Sequence, residues 1–165
     1  MKKYTGALLT ALALVSCSPE TTVENTPNFA KDDNPAFLVE DADARQLANA
    51  INQHRQSIGM PPLRTVGLLC EESAAHNQYM IGNRIVSHDG FESRARLIID
   101  VMNAAEVREN IAYNYPTASV IGAWLASSNH RENMEGDFTH MGVSVQTDQL
   151  GKKYHTAIFV KAEAL

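Results

Sequence analysis

Two imidazoles and one carboxylate stand outside the periodic stretches of this chain: His88, Glu109 and His130, each 21 residues from the next. His88 follows the short extended run Ile85-Val86-Ser87 and precedes the turn-forming pair Asp89-Gly90, while His130 lies in a polar run over 128–139. Glu109 opens the loop-like segment Glu109-Asn110-Ile111-Ala112. Loops held by a rigid scaffold are where functional polar side chains gather. If the three converge, two chemistries are open. One is a three-ligand site for a divalent cation, of the His/His/acid kind that suits zinc. The other is a general acid/base pair around a bound polar group. A third reading takes Ser127 and His130, three positions apart at a helix end, as nucleophile and base with Glu109 as orienter, but no strained elbow or oxyanion nest accompanies them. Arg131 is placed either to bind an anion in the same cleft or to pair with one of the many acids.

Other polar residues have structural readings. His76 lies on the apolar face of a helix and reads as a core histidine with one nitrogen bonded to backbone. His54 braces the first helix, and Asn52 and Arg55 tie that helix to neighbouring loops. Asn110 fixes the loop that carries Glu109, Asn133 braces its own loop, and Trp124 is core. His140 and His155 read as surface or edge residues of the terminal strands. Cys70, in a partly apolar helical run, reads as a small buried thiol.

The elements that must position these residues follow from periodicity. Leu47, Ile51, His54 and Ile58 share one face of a helix over 43–58, which Gly59 and Pro61-Pro62 end. Leu69, Ser73, His76 and Met80 share a face of a second helix over 68–80. A helical stretch is expected over 91–105, an irregular segment or short strand over 108–115, and a helix over 117–127 carrying Val120, Ile121, Trp124 and Leu125. The stretch 128–139 reads as a polar loop. Met141, Val143 and Val145 alternate with Gly142 and Ser144, and a partner strand is expected over 154–161. Helices followed by a terminal antiparallel hairpin imply an α+β domain whose sheet is covered by helices.

The N-terminus carries a different kind of information. Lys2 and Lys3 precede an apolar run from Gly6 to Val15 that is too short to span a bilayer. The run ends in Leu14-Val15-Ser16-Cys17, which resembles the bacterial lipobox. The resemblance implies a signal peptide over 1–16, cleavage before Cys17, and acylation of Cys17, whose several chains would anchor the protein stably. Ser18, rather than the aspartate associated with inner-membrane retention, points by the same resemblance to the outer membrane of a bacterial envelope, with the periplasmic or surface face left open. Residues 17–42, with Pro19, Pro27 and Pro35 among polar residues, read as a lipidated tether, and 43–165 as one domain. Loss of the leader removes two lysines and no acid, moving the formal charge from -5 to -7 (12 basic against 19 acidic). That balance argues against a nucleic-acid partner and for membrane attachment through lipid rather than a basic face. With Cys17 lipidated, Cys70 has no intramolecular disulfide partner.

Across about residues 46–160 the chain resembles the bacterial CAP superfamily, also described as the SCP-like extracellular domain. Ala50-Ile51-Asn52-Gln53-His54-Arg55 and Gly59-Met60-Pro61-Pro62-Leu63 are similar to its opening helix and exit. Leu69 to His76 with Met80, Ser87-His88 with Gly90, and Glu109-Asn110-Ile111-Ala112 are similar to its second helix, its SH loop and its ENIA element. Trp124, Ser127, His130-Arg131 and Asn133 resemble a bacterial W..S..HR.N run, and Met141-Gly142-Val143 the closing hairpin. The resemblance implies a three-layer α-β-α sandwich with a central antiparallel sheet, and a polar cleft holding His88, Glu109 and His130. The two-His, two-Glu set of related eukaryotic domains, some of which bind zinc or other divalent cations, is incomplete here. Ser127 stands near the second acid, and Tyr154-His155-Thr156-Ala157 replaces the eukaryotic GHYTQ run. Three functions are compatible with the resemblance: a module binding an unidentified small-molecule, lipid or protein ligand, a hydrolase acting on protein or cell wall, and a purely structural or interaction protein.

Overall fold

The computed structural model describes residue 1 and residues 41–162. The leader, Cys17 and nearly all of the expected tether lie outside the described residues.

Helix α1 spans Ala42–Ser57, and its N-cap Asp41 accepts a hydrogen bond from the Asp43 amide at 2.9 Å. This satisfies one of the amides that a helix start leaves without a partner. Its inward stripe is Ala44, Leu47, Ala48, Ile51 and Arg55; Leu47 and Ile51 lie as read from the sequence, whereas His54 is half-buried and Ile58, at the helix end, is exposed. The extended Pro61-Pro62 exit leads into a two-residue strand β1, Arg64–Thr65. Helix α2 (Gly67–Asn83) buries Leu69, Ser73, His76 and Met80 along one face, and α3 spans Phe91–Met102. Strand β2 (Ala104–Tyr113) follows, then α4 (Thr117–Ala126), α5 (Ser128–Glu135), β3 (His140–Thr147) and β4 (Lys153–Ala162).

The strand order is β1-β3-β4-β2. The β3–β4 hairpin and the β2–β4 pair are antiparallel, whereas β1 runs parallel to β3 over Arg64–His140 and Thr65–Met141. The sheet is therefore mixed rather than purely antiparallel. Two residues after Pro62 carry too little pattern to announce a strand, and their pairing is fixed by a tertiary neighbour.

Alternation along β4 divides the core. Ala157 and Phe159 pack with α1, α4 and α5 through Leu47, Ile51, Val120, Trp124 and Met134. Ile158 and Val160 pack on the opposite face with Leu69, Ile98, Met102 and Val107. Each fully buried side chain of this size contributes about 1.5–3 kcal/mol relative to exposure. The sheet is thus covered on both faces, as the α-β-α reading requires. A polar seam also joins α2 to the hairpin: Thr156 Oγ1 donates to Asn77 Oδ1 at 2.7 Å, and Asn77 Nδ2 donates to the Ser144 carbonyl at 3.0 Å.

Other expectations change as well. Residues 128–135 form helix α5 rather than loop, and of this helix only Met134 is buried, so it offered no apolar period to read. The segment over 108–115, read as irregular or short strand, is strand as far as Tyr113 and continues a ten-residue strand that starts earlier, at Ala104, with Val107, Glu109, Asn110 and Ala112 buried. Helix α3 stops at Met102 because Asn103 turns into the left-handed region at φ 48°. His155 and His140 are buried, at 0% and 8% exposure, since both faces of the central strands are covered.

Candidate functional site

The site begins at a turn. Gly90 adopts φ 72°, a conformation that glycine enters without steric cost, and so lets α3 start directly after the His88 loop. One helical turn on, Arg94 reaches back: its Nη1 donates to the Asp89 carbonyl at 2.9 Å. Its remaining donors face β2, where Glu109 points toward α2 and α3.

Glu109 is the centre of the cluster, its side chain 1% exposed. Arg94 grips both of its oxygens, Nη2 to Oε2 at 2.8 Å, Nη2 to Oε1 at 3.0 Å and Nε to Oε2 at 3.2 Å. His88 Nδ1 donates to Oε1 at 2.8 Å, which fixes the ring and leaves Nε2 as its other polar atom. Burial pushes the Glu109 carboxyl up, but the hydrogen bond from His88 and the charge and hydrogen bonds of Arg94 outweigh it. The carboxyl is held below its ordinary value and is ionised. His76 lies beneath, its Nε2 3.8 Å from the same oxygen and donating to the Ser87 carbonyl at 2.8 Å. Because a carbonyl only accepts, that bond places the His76 proton on Nε2, and the buried Nδ1 has no hydrogen-bond partner among the described residues. Burial pushes the His76 imidazole below its ordinary value, so it is neutral at neutral pH.

A second set of bonds holds the loops from the other side. Asn133 Nδ2 donates to Asn110 Oδ1 at 2.8 Å and to the Glu109 carbonyl at 3.3 Å, and Asn110 Nδ2 donates to the His130 carbonyl at 2.9 Å. Trp124 Nε1 donates to the Ile111 carbonyl at 3.1 Å. The His130 ring lies 6.4 Å from that of Trp124, and burial, with a smaller contribution from nearby His88, pushes its imidazole below the ordinary value. Behind this wall, Arg55 is fully buried and donates to the carbonyls of Pro61, Met134 and Gly136 at 2.8–2.9 Å.

The open space is a cleft of about 590 Å³ lined by His88 and Phe91 on one side, Glu106, Arg108 and Glu109 on the strand, and Glu132, Asn133 and Phe138 on the other. That volume lies within the usual range for small-molecule sites. Of the residues singled out from sequence, His88 and Glu109 meet in the cleft, whereas His130 is not among the residues that line it and is tied to the site through its carbonyl, which accepts from Asn110 Nδ2. Arg131 does not line it: its guanidinium caps the Leu125 carbonyl at the C-terminal end of α4. Ser127 is the junction between α4 and α5, and its side chain caps neither helix.

The donor set does not fit the metal reading of His88, Glu109 and His130. A cation would have to displace or adjoin the Arg94 guanidinium that already occupies both Glu109 oxygens. Among the described residues no cluster of three or more His, Cys, Asp or Glu is placed to hold a metal ion. Arg94 was not legible as a site residue, because a charge on an amphipathic helix reads as a solvated face.

The chain's likenesses agree with this architecture. The family model described as CAP, the cysteine-rich secretory protein family, matches residues 48–160. An outer surface protein of Borrelia burgdorferi aligns with a TM-score of 0.67 at 20% identity, over 73% of this chain and 93% of that one. An extracellular protein of Bacillus anthracis containing an SCP domain aligns with a TM-score of 0.64 at 25% identity, over 72% of this chain and 40% of that one. A cysteine-rich secretory protein of Staphylococcus aureus gives a TM-score of 0.59 at 20% identity, over 72% and 38%. No curated protein sequence matches significantly.

Proposed function

The chain belongs to the CAP, or cysteine-rich secretory protein, family, and from that premise we propose that it is a binding module that presents its His/Glu cleft to an envelope or extracellular ligand. The observation that carries this reading is the saturation of Glu109. A general base needs a free lone pair and a pKa near the working pH. Glu109 is instead held low and spends both oxygens on Arg94 and His88. Such a carboxylate orients its neighbours rather than taking a proton from substrate. His88 remains half-exposed, its ring fixed through Nδ1, beside the amide of Asn133 and the ring of Phe91. These are groups pre-arranged for recognition.

The lipobox resemblance supports placing the domain at a bacterial envelope, anchored through Cys17 and, by the identity of Ser18, at the outer membrane. Among the described residues no helix is long and apolar enough to cross a membrane, which fits attachment by lipid. Incorporation of a palmitate analogue, abolished in Cys17→Ala, tests the anchor.

The cleft is tested by following the His88 imidazole resonances while muropeptides, phospholipid headgroups and short peptides are added in turn, with product analysis of every mixture. A ligand that shifts His88, binds Arg131→Ala unchanged and returns intact supports the reading. Turnover of any probe that His88→Ala abolishes replaces it with a hydrolase. Silence of His88 toward every class removes it.

A further inference from the structure

We propose that the cleft takes a short extended peptide that adds as a fifth strand to the free edge of β2, with basic residues directed at the α5 wall. The inference rests on the binding reading above and names its ligand class.

The argument starts from the sheet. Among the described residues β2 pairs with β4 alone, so its other side is an edge. The antiparallel ladder alternates residues that bond to the partner strand with residues that bond outward. Val160 turns its carbonyl toward Thr139, on the β3 side of β4, so Val107, which faces Val160, turns its own main-chain groups away from β4. The next outward positions agree: the Glu109 carbonyl accepts from Asn133 Nδ2, and the Ile111 carbonyl from Trp124 Nε1. Side chains of α4 and α5 thus cap the edge at Glu109 and Ile111, but no described residue bonds the outward groups of Val107. A bulge at Ala104–Glu106 marks where regular pairing of this strand begins.

An unpaired stretch of edge is normally shielded. Here it runs along the cleft, since Glu106, Arg108 and Glu109 line that space together with residues from both walls. A strand laid there would alternate its side chains. One set would meet His88 and Phe91, the other Glu106, Glu132 and Asn133. On the second wall Glu106 is paired with Arg108 across an exposed surface, and Glu132 has no ion pair among the described residues. The matching sequence alternates apolar and basic residues. Strand addition gives affinity through main-chain bonds and selectivity through alternate side chains.

The probe is a capped pentapeptide of alternating lysine and valine, titrated into the full chain. Two partners carry N-methyl groups, one on the lysine nitrogens and one on the valine nitrogens. Only one set of amides can face β2, so one methylated peptide should bind about tenfold or more weaker while the other binds like the parent. The Val107 amide should slow its hydrogen exchange on binding, and Glu132→Lys should shift preference from the lysine peptide to its glutamate counterpart. Equal affinity of the two methylated peptides overturns strand addition while leaving the cleft reading intact. Failure of the parent peptide to bind at millimolar concentration also overturns it, and the muropeptide and headgroup arms of the His88 screen then decide the broader reading separately.

Discussion

Arg94 and Glu109 form a two-point ion pair between α3 and β2, with three nitrogen–oxygen distances of 2.8–3.2 Å and side chains 12% and 1% exposed. It pins the first turn of α3 to the sheet and fixes the oxygen that orients His88. A buried pair costs desolvation when made, but losing one partner leaves the other charge stranded. Arg94→Met should therefore lower unfolding free energy by about 3–5 kcal/mol. The double variant Arg94→Met with Glu109→Leu should recover much of that loss. Urea unfolding of the three proteins checks this. Equal stability of Arg94→Met and the parent would show that the pair does not hold the fold.

The pH response follows from the buried imidazoles. His76 and His155 both lie below their ordinary value of 6.5, in each case chiefly because burial disfavours the charged form. Each folded-state value is depressed, so below pH 6.5 the unfolded chain binds protons that the folded chain does not. Their contribution is full above that value and is lost as pH falls through the folded values. The slope is about 1.4 kcal/mol per pH unit for each imidazole. Glu109, held below its ordinary 4.5, adds a further loss at lower pH. Urea midpoints measured from neutrality down to about pH 5 should fall, and fall less steeply in His155→Gln. A flat profile over that interval contradicts the assignment of neutral buried histidines.

Gly142 marks the closest approach of α2 to the sheet. A Cβ built there would lie 2.1 Å from the Leu69 carbonyl carbon and 2.4 Å from the Cys70 amide nitrogen. Both are backbone atoms, so no rotamer change relieves the clash. Gly142→Ala should cost about 3 kcal/mol, at the upper end of ordinary overpacking. Gly122→Ala, with open space around it, should change stability little. A melting comparison of the two variants suffices, and similar melting temperatures would disprove the close approach.

What could be read from sequence, and what could not, divides along one physical line. The faces of α1 and α2, the β3–β4 hairpin and the pairing of Asn52 with the chain near Pro62 all rest on local periodicity or short-range turns; Asn52 Nδ2 donates to the Leu63 carbonyl and its Oδ1 accepts from the Leu63 amide. His88 and Glu109 stood out because polar residues in loop-like segments have few structural reasons to be there. Arg94 did not, because its partner lies 15 residues away on a strand that itself read as irregular. Helix α5 was hidden because one buried methionine makes no period. His155 reads as an edge residue only until the sheet is known to be covered on both faces.

Arg55 carries the last prediction, and it links the core to the cleft. Its guanidinium is fully buried with no carboxylate of the described residues at hydrogen-bond distance; instead it donates to the carbonyls of Pro61, Met134, Gly136 and Phe138. Met134 lies in the last turn of α5, and Gly136 and Phe138 lie in the segment that leaves it and lines the far wall of the cleft. One side chain therefore ties α1, the proline exit and that wall together. Arg55→Met keeps much of the volume and removes every donor, leaving buried carbonyls without partners at about 1–3 kcal/mol each. The expected loss is about 3 kcal/mol or more in urea unfolding. Arg55→Lys, a single point donor in place of a planar fork, should restore only part of it. Hydrogen exchange gives the local readout: amides over 134–138 should exchange faster in Arg55→Met at denaturant-free equilibrium, beyond the change seen in the central strand β4. Uniform acceleration across the domain would mean that Arg55 stabilises the fold without shaping the cleft wall.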